Sequence, residues 1–250
     1  MKNLLISLAC MTASCAAEPV AKTYTSPNGY EVLYRIAIPE KIEEGKKYPL
    51  VLFLHGAGER GTDNIAQMKH GVPAILAGAE KLNEPVFLIA PQCPPEQWWS
   101  EPKEDRMELN DAGGKNPLIK AVLALVAETA KNQPIDPKRI YVTGLSMGGF
   151  GTFDLLTRTP ETWAAAIPIC GAGDPTKAGK FKDVPVHIFH GAADDAVPPA
   201  GSQLMFDALE KAGANDAKLT LYPGVGHDSW TQTYADPEVI AWLFAQKKPD

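Results

Sequence analysis

Gly144-Leu145-Ser146-Met147-Gly148 follows directly on an apolar run, Ile140 to Thr143, and opens a stretch of helical spacing. Small residues at such a junction let a strand turn sharply into a helix, and the serine between them takes a strained backbone that exposes its hydroxyl. That hydroxyl is a weak nucleophile until a base removes its proton. Among five histidines, His227 is the expected base. It lies in Gly224-Val225-Gly226-His227, a loop after the last apolar run, from which an imidazole can reach over a sheet edge. His187 sits inside an apolar run and reads as a core residue. His55 and His190 each close a run before a glycine and read as loop buttresses, and His70 has no evident partner. The acid is sought in His190-Gly191-Ala192-Ala193-Asp194-Asp195, where a carboxylate can hold the imidazole tautomer. Asp194 is the first choice there and Asp195 its competitor. An oxyanion needs two backbone donors, expected from the Met147 amide and from the loop His55-Gly56-Ala57-Gly58, with Ala57 the donor. No H-E-x-x-H or paired Cys-x-x-Cys set occurs. Neither a metal nor a cofactor is expected.

These side chains need a frame. Tyr24 to Ser26 and Tyr30 to Ile38 alternate like strands around the turn Pro27-Asn28-Gly29. Short apolar runs follow at Leu50 to Leu54, Val86 to Ala90, Ile140 to Thr143, Ala165 to Ile169, Val186 to Phe189 and Leu219 to Tyr222. Runs without polar alternation suit strands buried on both faces of a parallel sheet. Helical spacing appears at Leu118 to Lys131, Gly148 to Arg158, Ser202 to Ala212 and Pro237 to Gln246. The alternation predicts an α/β fold with helices on both faces, in a single domain over residues 18–250. The longest stretch without a pattern, Cys93 to Asn116, carries Trp98 and Trp99; a loop that long is functional or mobile.

Composition narrows the function. A net charge of −6 and no basic cluster exclude a nucleic-acid partner. Residues 1–17 read as a signal peptide, with Lys2, an apolar Leu4 to Met11 and small residues Ala13 to Ala17, which predicts an exported, periplasmic or secreted protein. Cys15 is a candidate for lipid modification, although Thr12 stands where a lipobox usually has Leu. In the mature chain Cys93 and Cys170 either pair or stay as buried thiols.

Six blocks together carry a resemblance: Leu54-His55-Gly56-Ala57-Gly58-Glu59-Arg60-Gly61, Pro91-Gln92-Cys93-Pro94, Trp98-Trp99, Gly144 to Gly149, His190-Gly191 and Gly226-His227-Asp228-Ser229-Trp230. The chain resembles the cap-less bacterial carboxylesterases of the α/β-hydrolase superfamily. It is similar to the phospholipase/carboxylesterase and dienelactone-hydrolase groups, and to secreted esterases of the polyhydroxybutyrate-depolymerase and feruloyl-esterase type. Members are often labelled predicted peptidases of the prolyl oligopeptidase kind. The order Ser146, Asp194, His227 is the α/β-hydrolase order, and in that family the acid stands four residues after the histidine of His-Gly, which falls on Asp194. The resemblance implies a mostly parallel sheet, no cap domain, and a serine esterase working through an acyl-enzyme without a cofactor. No segment between the strands after residue 144 is long enough for a cap, Gly171 to Val184 being the longest, so an open cleft is expected, and with it short-chain, acetyl or hydroxycinnamoyl esters as substrates, carbohydrate-linked ones among them. From their place in the loop after Val86 to Ala90 and three residues past His227, Trp98, Trp99 and Trp230 are expected either to form an aromatic wall for substrate or, for one or more of them, to plug the loop core. A peptidase with the same triad is the alternative, and a non-catalytic binding protein on the same fold the remote one.

Overall fold

A computed structural model describes residues 18–110 and 112–249 of the chain. The signal-peptide reading and Cys15 fall outside the described residues. In chain order the elements are β1 (Val20–Thr25), β2 (Glu31–Ala37), β3 (Tyr48–Leu54), α1 (Val72–Lys81), β4 (Phe87–Pro91), α2 (Pro117–Asn132), β5 (Ile135–Leu145), α3 (Met147–Arg158), β6 (Ala165–Ile169), β7 (Val186–Gly191), α4 (Pro199–Lys211), β8 (Ala217–Tyr222), α5 (Trp230–Ala235) and α6 (Pro237–Ala245).

The eight strands form one sheet in the order β1-β2-β4-β3-β5-β6-β7-β8. Pairing is antiparallel at β1–β2 and β2–β4 and parallel from β4 through to β8, so β2 alone runs against the rest. This is the mostly parallel α/β-hydrolase sheet, and no cap is inserted in it among the described residues. The stretch from Gly171 to Val184 holds only a short 3-10 segment, Pro175–Lys180.

The unbroken apolarity of the central strands has a direct cause. Leu50, Leu52 and Leu54 of β3 pack in one core cluster with α2 and Phe153, Leu155 and Leu156 of α3, while Val51 and Phe53 pack in another with α1 and α6. With both faces covered, neither set of alternate side chains meets water. The same division decides the cysteine question. Cys93 belongs to the first cluster and Cys170 to the second, and both are buried free thiols.

Helix starts follow local chemistry. Asn116 caps α2 by accepting from the Ile119 amide, with Pro117 in the first turn, and Asp236 caps α6 by accepting from the Glu238 amide. The long segment from Cys93 to Asn116 is pinned at several points. Trp99 is buried within it, Leu109 and Ala112 pack with Phe150, Ala172 and Val197, and Pro102 pairs with Leu109.

Candidate active site

Chain direction sets the site. In an open parallel sheet the loops beyond the carboxyl ends of the strands gather in one crevice, and β3, β5, β7 and β8 all deliver residues there. Ser146, between β5 and α3, has φ 52° and ψ −115°, a conformation a non-glycine residue holds only under constraint. The constraint is visible. A Cβ on Gly148 would run into the backbone carbonyl of Leu54, and one on Gly149 into that of Ile169. Only glycine lets the elbow sit this close to the ends of β3 and β6.

Ser146 Oγ lies 2.9 Å from His227 Nε2, and His227 Nδ1 lies 2.7 Å from Asp194 Oδ2. Asp194 is buried, whereas Asp195 is exposed. Four donors surround the Asp194 carboxylate. Oδ1 accepts from the amides of Ala196 and Val197, each at 2.9 Å, and Oδ2 is shared by His227 and by His190 Nε2 at 3.1 Å. Burial by itself would raise the Asp194 pKa, but the Val197 amide and His227 outweigh it and hold the carboxyl below its ordinary value. An ionised carboxylate here keeps the proton of His227 on Nδ1 and leaves Nε2 free to accept from the serine.

His190 departs from the reading as a backbone buttress alone. Its Nε2 faces two acceptors, Asp194 Oδ2 and the Val197 carbonyl, so it is a donor, while Nδ1 meets Ser202 Oγ at 2.7 Å. It therefore grips the acid as well as the loop. The four-residue spacing in His190-Gly-Ala-Ala-Asp194 is the signal that could have found it.

The two amides expected to hold an oxyanion both lie beside the elbow without a backbone partner among the described residues. Met147 is the first residue of α3, where an N–H has no acceptor inside its own helix. Ala57 opens a 3-10 turn, Ala57–Glu59, and no backbone hydrogen bond engages its amide among the described residues. The loop abuts the elbow: a Cβ on Gly56 would meet Leu145 Cδ1 at 2.8 Å. His55 ties this loop to the next one, its Nδ1 donating to the Gly56 carbonyl at 2.6 Å and its Nε2 accepting from the Cys93 amide at 2.9 Å.

His55 is thereby held neutral, and burial lowers its pKa from 6.5 to about 4. The unfolded chain therefore takes up a proton in this window that the folded chain refuses. The stabilisation is fully present above pH 6.5 and is lost as pH falls through about 4, by an amount on the order of 3 kcal/mol from this residue. Urea unfolding at pH 7 and pH 4 measures it. The drop should be smaller in His55→Asn, and equal drops in both proteins would contradict the assignment.

The aromatic wall needs correction. Trp99 is fully buried, its indole N–H donates to the His55 carbonyl at 2.9 Å, and its ring meets that of His55 edge-on at 5.1 Å. It braces the loop that carries Ala57 and offers no face to a substrate. Trp98 is half-buried with the guanidinium of Arg60 lying over its ring, 5.4 Å from the centroid. Trp230 is half-buried, its ring edge-on to His227 at 5.3 Å and tilted against His70 at 5.7 Å.

Cys170 is a neighbour that the sequence did not place. Its Sγ accepts from the Ser146 amide at 3.3 Å and lies in a cluster with Asp194 and His227 whose donor atoms are all within 4.8 Å. Burial raises the thiol pKa strongly, and both ring nitrogens of His227 are already hydrogen-bonded.

A mostly parallel sheet, a strained serine at a strand-to-helix elbow, and a histidine and buried aspartate on later loops define a serine-nucleophile α/β-hydrolase. The chain belongs to the phospholipase/carboxylesterase family, whose model matches residues 37–238. A solved structure of a thermostable esterase is 39% identical, with a TM-score of 0.84 over 92% of this chain and 63% of that one. A Bacillus subtilis peptidase, YuxL, is 30% identical over 82% of this chain, and dipeptidyl-peptidase 5 of Porphyromonas gingivalis is 24% identical over 80%. The chain spans about a third of the length of these two curated relatives, 35% and 33%.

Proposed function

We propose that this protein is a carboxylic-ester hydrolase acting through an acyl-enzyme on short-chain, acetyl or hydroxycinnamoyl esters, with carbohydrate-linked esters among them. The observation that carries the reading is the continuous hydrogen-bonded relay from Ser146 through His227 to the ionised Asp194. Ser146 Oγ attacks the ester carbonyl as its proton passes to His227 Nε2. The tetrahedral oxyanion takes hydrogen bonds from the Ala57 and Met147 amides. His227 then gives its proton to the leaving alcohol, and water enters by the same path to release the acid. Asp194 stays ionised throughout and stabilises the imidazolium.

The sheet, free of an inserted cap among the described residues, supports an acyl ester displayed on a bulky alcohol over a long lipid chain enclosed by protein. Likeness to the thermostable esterase supports ester chemistry. Export follows from the Lys2 and Leu4 to Met11 pattern and belongs to the same proposal. The peptidase reading rests on YuxL and dipeptidyl-peptidase 5, of which this chain covers about a third. Paired assays on 4-nitrophenyl acetate and on the matching 4-nitroanilide separate the two. We expect kcat/KM on the ester to exceed that on the anilide by orders of magnitude. Comparable rates would favour the peptidase, and turnover of neither would favour the binding protein.

A further inference from the structure

Arg60 closes the turn that carries the Ala57 amide. Its Nε donates to the Ala57 carbonyl at 3.0 Å and its Nη1 to the Gln97 carbonyl at 3.3 Å, while its guanidinium lies over the Trp98 ring. Both partners are neutral carbonyls. Among the described residues no carboxylate comes within ion-pair distance of Arg60, and its neighbour Glu59 is placed toward His70, at 3.7 Å. Two of the five guanidinium N–H groups are thus used, and Nη2 makes no hydrogen bond among the described residues. Stacking on an aromatic face and bonding at one edge fixes the group's orientation while leaving the end of its fork unfilled. That is the arrangement a carboxylate accepts through two parallel N–H bonds. Arg60 is half-buried, beside a glycine that is exposed at position 58 and a glutamine that is exposed at position 97, so the fork lies at a rim open to solvent. The chain's net charge of −6 offers anions no general attraction. A preference for them would have to arise locally.

We propose that Arg60, held on Trp98 beside the oxyanion loop, anchors a carboxylate carried by the substrate, so that the preferred esters bear a carboxylate a few bonds from the scissile carbonyl. This rests on the ester-hydrolase reading and names its substrate class. The carboxylate reaches the fork either from the acyl side, as in a half-ester of a dicarboxylic acid, or from the alcohol side, as in an acylated hydroxy acid.

Two pairs of substrates test it with the full-length protein. The acyl pair is mono-4-nitrophenyl adipate and its neutral carboxamide; the alcohol pair is 3-acetoxybutyrate and its neutral carboxamide. In the wild type the charged member of at least one pair should have the higher kcat/KM by about ten- to a hundredfold, the range for a charged hydrogen-bonded pair. The pair that shows the preference identifies the side. The preference should shrink as ionic strength rises to about 0.5 M, collapse in Arg60→Gln, and be partly kept in Arg60→Lys, which has the charge without the fork. A wild type that treats charged and neutral members alike overturns the proposal without any variant. So does an Arg60→Gln protein that loses the same factor on both members, since that marks Arg60 as support for the Ala57 turn only. Failure to hydrolyse any of the four esters would strike the ester-hydrolase reading instead.

Discussion

Replacing Ser146 by alanine is expected to lower kcat/KM by roughly 10³-fold or more. The variant keeps the Ala57 and Met147 amides and the substrate contacts, and loses the atom that forms the acyl-enzyme. It also loses the acceptor and donor 2.9 Å from His227 Nε2, so the imidazole has no proton to take. What remains is the acceleration that the oxyanion donors give to attack by water. The strained elbow should persist, since the glycine contacts of α3 with β3 and β6 do not involve the hydroxyl, and the melting temperature should change little. A fluorophosphonate probe should add its mass to the wild type and not to Ser146→Ala. Ser100 and Ser229 are both buried, and labelling at either one would overturn the assignment of the nucleophile.

Asp194→Asn should cost nearly as much or more, on the order of 10⁴-fold. The Ala196 and Val197 amides require an acceptor at Oδ1. An asparagine satisfies them with its carbonyl oxygen and must then present its NH₂ where Oδ2 stood. Two N–H groups already point there, from His227 and His190. His227 responds by giving up its Nδ1 proton and carrying it on Nε2, which turns the base toward Ser146 as a donor. Asp195→Asn changes an exposed loop acid and should leave kcat/KM within a few-fold of wild type. Measuring both variants decides the matter, and the reverse ranking would transfer the role to Asp195.

The residues at the centre of the site were legible because their chemistry constrains their spacing. A serine between glycines after an apolar run, an acid after the next-to-last strand and a histidine after the last can be read without coordinates. The sheet was legible for a related reason, since strands covered on both faces leave long apolar runs. Trp99 was not. A tryptophan in a loop beyond a strand has the same sequence signature whether it faces substrate or packs under the chain, and only the fully buried ring against Gly151 and His55 distinguishes the two. His190 closes its strand as His55 does, yet one grips the acid and the other ties two loops, because the partners come from different parts of the chain. Helix α1 escaped notice for a local reason. It begins after Gly71 at φ 75° with no side-chain cap, so no Ser, Thr, Asp or Asn marks its start. Helix α5 is a single short segment of six residues, too brief for periodicity to show.

The close approach of Gly148 and Gly149 to the ends of β3 and β6 has an implication for redesign. Ser146, the start of α3 and the ends of β3 and β6 are interlocked through backbone atoms, so the elbow behaves as a single casting. Any change of selectivity that shifts it will be felt by every step of the reaction. The surroundings are assembled differently, from Arg60 with Trp98 stacked beneath it and from Trp230 at the start of α5, which belong to separate segments and make few contacts each. On the proposed ester-hydrolase reading, substrate range would be tuned at those positions one by one, with the elbow left untouched.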